Sequence, residues 1–183
     1  MDSGDLEGTK KFLDQQPDAL SAGLSADGDT ALHIAVLAGH VDIVEELVGR
    51  MSAQEIAVKQ KSGSTALNFA AIGGVTEIAE LLVKKNRDLL KIPNDHDQIP
   101  VVVASIYGHR DLVLYLYMET PIDELDPTSK NNGAILLTSC IVNESYGTKE
   151  ECFTLPSLLI LEQIYDFPLF IVSNYLTFTC SSL

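Results

Sequence analysis

The side chains that could do chemistry in this chain are scattered along the sequence. Its cysteines are Cys140, Cys152 and Cys180, an odd number without a Cys-x-x-Cys pair, so neither a disulfide framework nor a zinc site is predicted. The adjacent acidic pairs at 45–46 and 150–151 form no catalytic dyad by spacing alone. No phosphate loop, Gly-x-Ser-x-Gly elbow, His-Glu-x-x-His helix or calcium loop occurs. The sequence therefore predicts no enzyme, catalytic residue, cofactor or metal.

His33 is open to two interpretations. As a metal ligand or a catalytic base it would need a Cys, His or carboxylate partner at a ligand spacing, and the sequence offers none. A structural role is therefore favoured. His40 and His109 each follow a glycine, and we interpret both as turn residues.

The charge balance points away from nucleic acid. Lys and Arg total 12 against 26 Asp and Glu, for a formal net charge of −14. No Lys/Arg cluster offers a local exception, so the chain should repel phosphate backbones. A basic surface on another protein would be attracted instead. The odd cysteine count fits a reducing compartment, and the polar residues 1–5 predict no secretory signal.

A repeat of 34–35 residues organises the chain. From Asp27 the sequence reads Asp-Gly-Asp-Thr-Ala-Leu-His-Ile-Ala, and 35 positions later, from Ser62, it reads Ser-Gly-Ser-Thr-Ala-Leu-Asn-Phe-Ala. A further step of 34 keeps Pro100 and Gly108 in phase, and another of 35 reaches Asn132. Apolar residues at helical spacing follow each opening string. Because one such segment cannot bury its own apolar stripe, the repeats are predicted to stack.

These strings resemble the ankyrin repeat, whose usual opening is Thr-Pro-Leu-His, over roughly residues 4–145. The resemblance implies an all-α solenoid of stacked helix-turn-helix units with β-turn finger loops, and an irregular or helical C-terminal tail. The predicted stack occupies residues 1–146. It contains a half unit at 4–25 and units that begin near 26, 61, 95 and 130, the last of them incomplete.

Several positions have predicted structural roles. The threonines offer N-cap oxygens to helix N–H groups, the proline suits a first helical position, and the glycines lie where the chain reverses. The resemblance implies that the His33 ring bonds neighbouring turn backbone and joins two units; Asn68 could make a similar bond, whereas Val102 could not. The residues are Thr30, His33, Gly39, Thr65, Gly74, Pro100 and Gly108.

Partner-binding positions follow only from the resemblance, since ankyrin stacks usually bind through turn tips and the exposed side of the first helix. Tyr107 would be the best aromatic anchor, although it could equally pack on its neighbour. The acidic tips are either a stripe for a basic ligand or a solvated surface. The tip positions are Ala26, Asp27, Asp29, Lys61, Ser62, Ser64, Asp95, His96 and Gln98, and the helix positions are Leu37, Ile72 and Tyr107.

The tail at 147–183 leaves the repeat pattern. Its apolar stretches, 153–161 and 167–172, are shorter than the roughly 20 residues that span a bilayer. The tail could dock on the last unit, meet a membrane or meet a partner. We favour an end left by truncation or alternative splicing, with docking second.

The amino-acid sequence of the repeat units is similar to that of plant ankyrin-repeat proteins that end in a multi-span PGG membrane domain. The relevant strings are Thr-Ala-Leu-His and the later Gly-Ala-Ile-Leu-Leu-Thr-Ser-Cys. That resemblance implies a truncated or short form in stress or defence signalling. We therefore expect a monomeric, non-catalytic protein-interaction scaffold in the cytoplasm or at the cytoplasmic face of the plasma membrane. The alternative is a membrane-associated regulator, anchored by residues 153–183 or by a missing transmembrane domain.

Overall fold

Helices and short turns account for the secondary structure in the computed structural model, which describes residues 5–125 and 131–144. No strand occurs in these residues, which confirms the predicted all-α class. The α-helices are α1 (Leu6–Gln15), α2 (Ala31–Ala38), α3 (Val41–Arg50), α4 (Ala66–Gly73), α5 (Thr76–Lys85), α6 (Pro100–Ile106), α7 (Arg110–Glu119) and α8 (Asn132–Glu144). The described residues also contain four 3₁₀ helices, at Pro17–Leu20, Glu55–Ala57, Arg87–Lys91 and Ile122–Leu125.

Each complete repeat is a helix pair followed by a 3₁₀ turn and a loop. The pairs are α2–α3, α4–α5 and α6–α7, and α1 has the position of a second helix. The 3₁₀ turns were not anticipated from the sequence. The chain divides into two compact units, and the division falls between Thr120 and Pro121, within the stack predicted at 1–146.

Local sequence sets the helix ends. Thr30 and Thr65 have extended backbones and precede α2 and α4 as N-caps, where a side-chain oxygen can satisfy an orphan N–H. Pro100 is the first residue of α6, a position whose N–H needs no intrahelical partner. Gly39 and Gly74 end α2 and α4 with φ of 72°, a left-handed conformation that costs other residues energy.

The core of the N-terminal unit runs along the helix pairs. Leu47, Leu82 and Leu116 occupy equivalent positions on α3, α5 and α7, and none is more than 1 % exposed. Burying each such side chain is worth about 1.5–3 kcal/mol. The repeat therefore places its largest apolar groups between stacked neighbours, as the predicted one-dimensional core requires.

Phe12 departs from this pattern. It falls 35 positions before Leu47, yet it is 49 % exposed while the adjacent Leu13 is buried. The preceding helix α2 packs against α3, whereas no helix among the described residues precedes α1. An aromatic at a repeat's core position is thus left half in solvent.

The C-terminal unit contains one long described helix. α8 has 13 residues, compared with 8 in α2 and α4, and it runs through Asn143, which lies 35 positions after Gly108. Without a glycine at this point the helix continues where the earlier repeats reverse. Leu125 and Leu136 are fully buried in this unit. The tail predicted at 147–183 lies outside the described residues.

Candidate functional site

Three finger loops precede the first helices, and each closes with a backbone hydrogen bond. We call them the first finger (24–29), the second finger (59–64) and the third finger (94–98). The closing bonds run from Leu24 N–H to Asp29 O at 2.7 Å, from Gln60 N–H to Ser64 O at 3.0 Å and from Asn94 N–H to Gln98 O at 3.1 Å. A side-chain oxygen braces each turn from within: Ser25, Gln60 and Asn94 accept from backbone N–H groups farther along their own finger.

Lys61 ties the second finger to the first. Its backbone N–H donates to Asp27 O at 2.8 Å, and its ammonium donates to the carbonyl of Ala26. The sequence placed Lys61 among partner contacts, but the structure gives its side chain an internal role. A substitution at this position would therefore loosen the fingers as well as alter their surface.

The second and third fingers are joined in the same way. The backbone N–H of Asp95 donates to Ser62 O at 3.3 Å, and the ammonium of Lys59 donates to Pro93 O at 2.7 Å. The two lysines of the second finger thus donate to one carbonyl in the first finger and to one directly before the third finger. The three loops form one continuous edge.

The predicted tip residues differ in exposure. Ser64 is only 7 % exposed, because it lies at the base of the second finger beside the helix cap, and this burial removes its side chain from the candidate surface. Asp29 and Gln98 are half-buried, and the Asp29 carboxylate accepts from Ser25 Oγ at 2.7 Å. The exposed tip residues are Ala26, Asp27, Lys61, Ser62, Asp95 and His96.

The first helices contribute an uncharged, apolar surface. α2, α4 and α6 contain no Asp, Glu, Lys or Arg. At one repeat position Leu37 is 64 % exposed, Ile106 is 41 % exposed and Ile72 is half-buried. We define the first-helix surface as Ile34, Leu37, Ile72, Ile106 and Tyr107. Ile34, which is 46 % exposed, was missed from the sequence, although its helical offset of three residues from Leu37 indicates the same face.

Tyr107 both faces solvent and packs on a neighbour. It is 55 % exposed, and its ring lies parallel to that of His109, with centroids 6.4 Å apart and an interplanar angle of 5°. His109 Nε2 lies 2.8 Å from the carbonyl oxygen of Ile72 in the preceding repeat, so this nitrogen carries the proton and donates. His109 is therefore more than a turn residue, because it joins two repeats and supports Tyr107.

Comparison with known proteins decides the family. The family described as ankyrin repeats (3 copies) matches residues 1–89 and 50–131, more than half of the chain. The chain belongs to the ankyrin-repeat family. No curated protein matches it. Among solved structures, it is similar to a chain in the crystal structure of the yeast ribosomal protein Rps3 in complex with its chaperone Yar1. The identity is 26 %, the match covers 63 % of this chain and 85 % of that chain, and the TM-score is 0.58.

In this ankyrin stack His33 is a buried cap partner rather than a reactive group. Its Nδ1 accepts from Thr30 N–H at 3.2 Å and lies 2.9 Å from Thr30 Oγ1. Burial lowers the pKa of the imidazole, and the opposing effects of Asp29 and of the Ser64 and Val58 carbonyls are smaller. Nε2 has no hydrogen-bond partner, so the Ser64 and Val58 carbonyls lie near the imidazole without accepting a hydrogen bond from it.

Asn68 repeats this arrangement one unit later. Its Oδ1 accepts from Thr65 N–H at 3.0 Å and from Thr65 Oγ1 at 2.9 Å, while its Nδ2 is buried without a partner. The amide oxygen replaces the imidazole nitrogen because both are acceptors at the end of a short side chain. α6 lacks this cap, since Val102 offers no acceptor there.

Neither a metal site nor a membrane span appears in the part of the chain that the structure describes. No group of three or more His, Cys, Asp or Glu side chains is placed to hold a metal in residues 5–125 and 131–144. Within the same residues no helix combines the length and apolar character needed to cross a bilayer. The repeat stack is a protein-interaction scaffold by family, and its candidate site is the finger edge with the first-helix surface.

Proposed function

We propose that this chain holds another protein against the first-helix surface and the finger edge. One observation carries the proposal: three successive first helices lack charged residues, and at the same repeat position Leu37 and Ile106 are exposed and Ile72 is half-buried. A lone exposed leucine is ordinary, whereas aligned apolar groups on neighbouring helices are typical of an interaction surface.

The hydrogen bonds within and between the fingers hold this surface in a fixed arrangement. The fingers are braced internally and joined to one another through backbone carbonyls, so little ordering is required when a partner arrives. Preorganised surfaces lose less conformational entropy on binding. An exposed aromatic such as Tyr107, supported by the ring of His109, is a common type of binding hot spot.

The test compares two variants, each of which replaces two exposed apolar residues by serine. Leu37→Ser with Ile106→Ser alters the first-helix surface, and Leu114→Ser with Met118→Ser alters exposed apolar residues of α7. A protein captured by the wild type from its native tissue is identified, and its affinity is then measured against both variants. We expect at least a tenfold loss for the first variant and little change for the second. Equal affinities, with circular dichroism showing intact helices, would reject this binding surface.

We propose stress or defence signalling as the process that this scaffold serves. The resemblance of its repeat strings to plant proteins with a PGG membrane domain supports that role, and it supports a location in the cytoplasm or at the cytoplasmic face of the plasma membrane. Regulation of a partner at the membrane, with residues 153–183 as the anchor, is the alternative. Fractionation of cells that express the chain with and without 147–183 separates the two. Recovery of both forms in the soluble fraction would exclude the anchor.

A second candidate function is escort of another protein. The similar yeast structure contains a ribosomal protein with its chaperone, and the uncharged apolar surface of this chain could cover apolar groups of a client. The captured partner's solubility, measured with and without the chain, tests this role. A partner that stays soluble alone would leave only the scaffold.

A further inference from the structure

The fingers leave carboxylates, rather than ammonium groups, free at the border of the first-helix surface. The three fingers contain four aspartates and two lysines. The Lys61 ammonium donates to a carbonyl of the first finger, and the Lys59 ammonium donates to Pro93 O directly before the third finger. The Asp29 carboxylate accepts from Ser25 Oγ. The remaining aspartates, Asp27, Asp95 and Asp97, are exposed. The first and third fingers therefore present negative charge to anything that lies along the edge.

The apolar surface begins directly after this acidic border. Thr30, Thr65 and Ile99 are the N-caps that join the fingers to α2, α4 and α6. Leu37 lies six residues into α2, which at 1.5 Å per residue places it about 9 Å along the helix from its start. A ligand on this surface thus meets carboxylates on one edge and only uncharged groups across the first helices.

The spacing of the first helices sets the size of the ligand. Helices that pack directly on each other lie about 8–10 Å apart, so three successive first helices span about 16–20 Å. A partner helix rises about 10.5 Å in seven residues, so apolar groups seven residues apart match this spacing. Three to four helical turns would cover the surface.

Resting on the proposed function, we infer that the partner docks through a basic amphipathic helix of three to four turns. Its apolar face lies on the first-helix surface, and lysines or arginines along one edge face Asp27, Asp95 and Asp97. Charge complementarity selects this occupant, because an acidic segment would be repelled at the same border. The uncharged first helices leave no counter-charge for acidic groups of a ligand.

Synthetic peptides serve as probes of this inference. The first is a helix of about 14 residues, or four turns, with leucines on one face and lysines along one edge of that face. The second replaces each lysine by glutamate, and the third keeps the lysines but replaces each leucine by alanine. Binding is measured by calorimetry at low and at moderate salt. We expect the first peptide to bind at least tenfold more tightly than either of the others.

Two charge variants with the same change in net charge separate local recognition from long-range attraction. Asp27→Asn, Asp95→Asn and Asp97→Asn neutralise the border, whereas Glu45→Gln, Glu77→Gln and Glu80→Gln neutralise exposed residues of the second helices. We expect about a tenfold loss for the border variant, which lies within the range for three exposed ion pairs. The control variant should stay within about twofold.

Several results would overturn the inference. They are equal losses for the two variants, equal binding of the leucine-free peptide, and no peptide binding at all. The inference alone fails if peptides do not bind but the captured partner still depends on Leu37 and Ile106. The proposed function fails as well if that dependence is absent.

Discussion

Replacing Gly74 by alanine tests how adjacent repeats are joined at the turn between their helices. Gly74 and Gly39 have the same φ of 72°, so an alanine at either site meets the left-handed cost of about 1–2 kcal/mol. They differ in surroundings. A Cβ at Gly74 would lie 2.4 Å from His109 Nδ1, whereas a Cβ at Gly39 meets nothing within 4 Å among the described residues.

The alanine at Gly74 must therefore displace the imidazole. Moving His109 breaks its hydrogen bond to the Ile72 carbonyl, a bond worth about 0.5–1.5 kcal/mol, and disturbs the parallel stacking on Tyr107. We expect Gly39→Ala to lower the free energy of unfolding by about 1–2 kcal/mol. Gly74→Ala should lower it by about 1.5–3.5 kcal/mol.

Urea unfolding followed by circular dichroism measures both losses, and a double-mutant cycle with His109→Ala locates their difference. In the His109→Ala background the imidazole is gone, so Gly74→Ala should cost no more than Gly39→Ala. Equal losses for the two glycine variants in the wild-type background would refute the reasoning. A difference that persists without His109 would assign the extra cost to another contact.

Three further predictions concern the caps and the fingers. Burial lowers the pKa of His33 in the folded chain below its ordinary value of 6.5. As pH falls below about 6.5 the unfolded chain therefore binds a proton at His33 before the folded chain does, and the free energy of unfolding should fall. His33→Asn, which copies the Asn68 cap, should flatten that part of the pH profile of urea midpoints, and an unchanged slope would contradict it. Asn68→Leu leaves the buried Thr65 N–H without its acceptor and should cost about 1–3 kcal/mol, whereas Asn68→His should retain most of the stability; similar losses for the two would exclude the cap as the cause. Lys61→Met removes the bond from its ammonium to Ala26 O, so hydrogen exchange in the first and second fingers should quicken, and unchanged exchange would show that the backbone bonds hold the fingers alone.

The sequence by itself determined the repeat, its helix boundaries and its capping chemistry. Thr30 and Thr65 cap helices, Pro100 begins one, and Gly39 and Gly74 end two. These features are local: each depends on backbone dihedral preference or on a hydrogen bond within three or four residues. Periodic apolar residues also indicated which helix faces would be buried, because a 3.6-residue period fixes the face before any neighbour is known.

Tertiary structure decided which candidate residues are available to a partner. Ser64 looked like a tip residue and is buried, Lys61 looked like a contact and ties two fingers, and His109 reaches a carbonyl 37 residues earlier. Each outcome depends on how one repeat is placed on the next, and no local preference encodes that placement. Phe12 is half exposed for the same reason, since its burial would require a covering helix that α1 lacks among the described residues. Local pattern therefore specified the repeat, and contacts between repeats specified the surface that it presents.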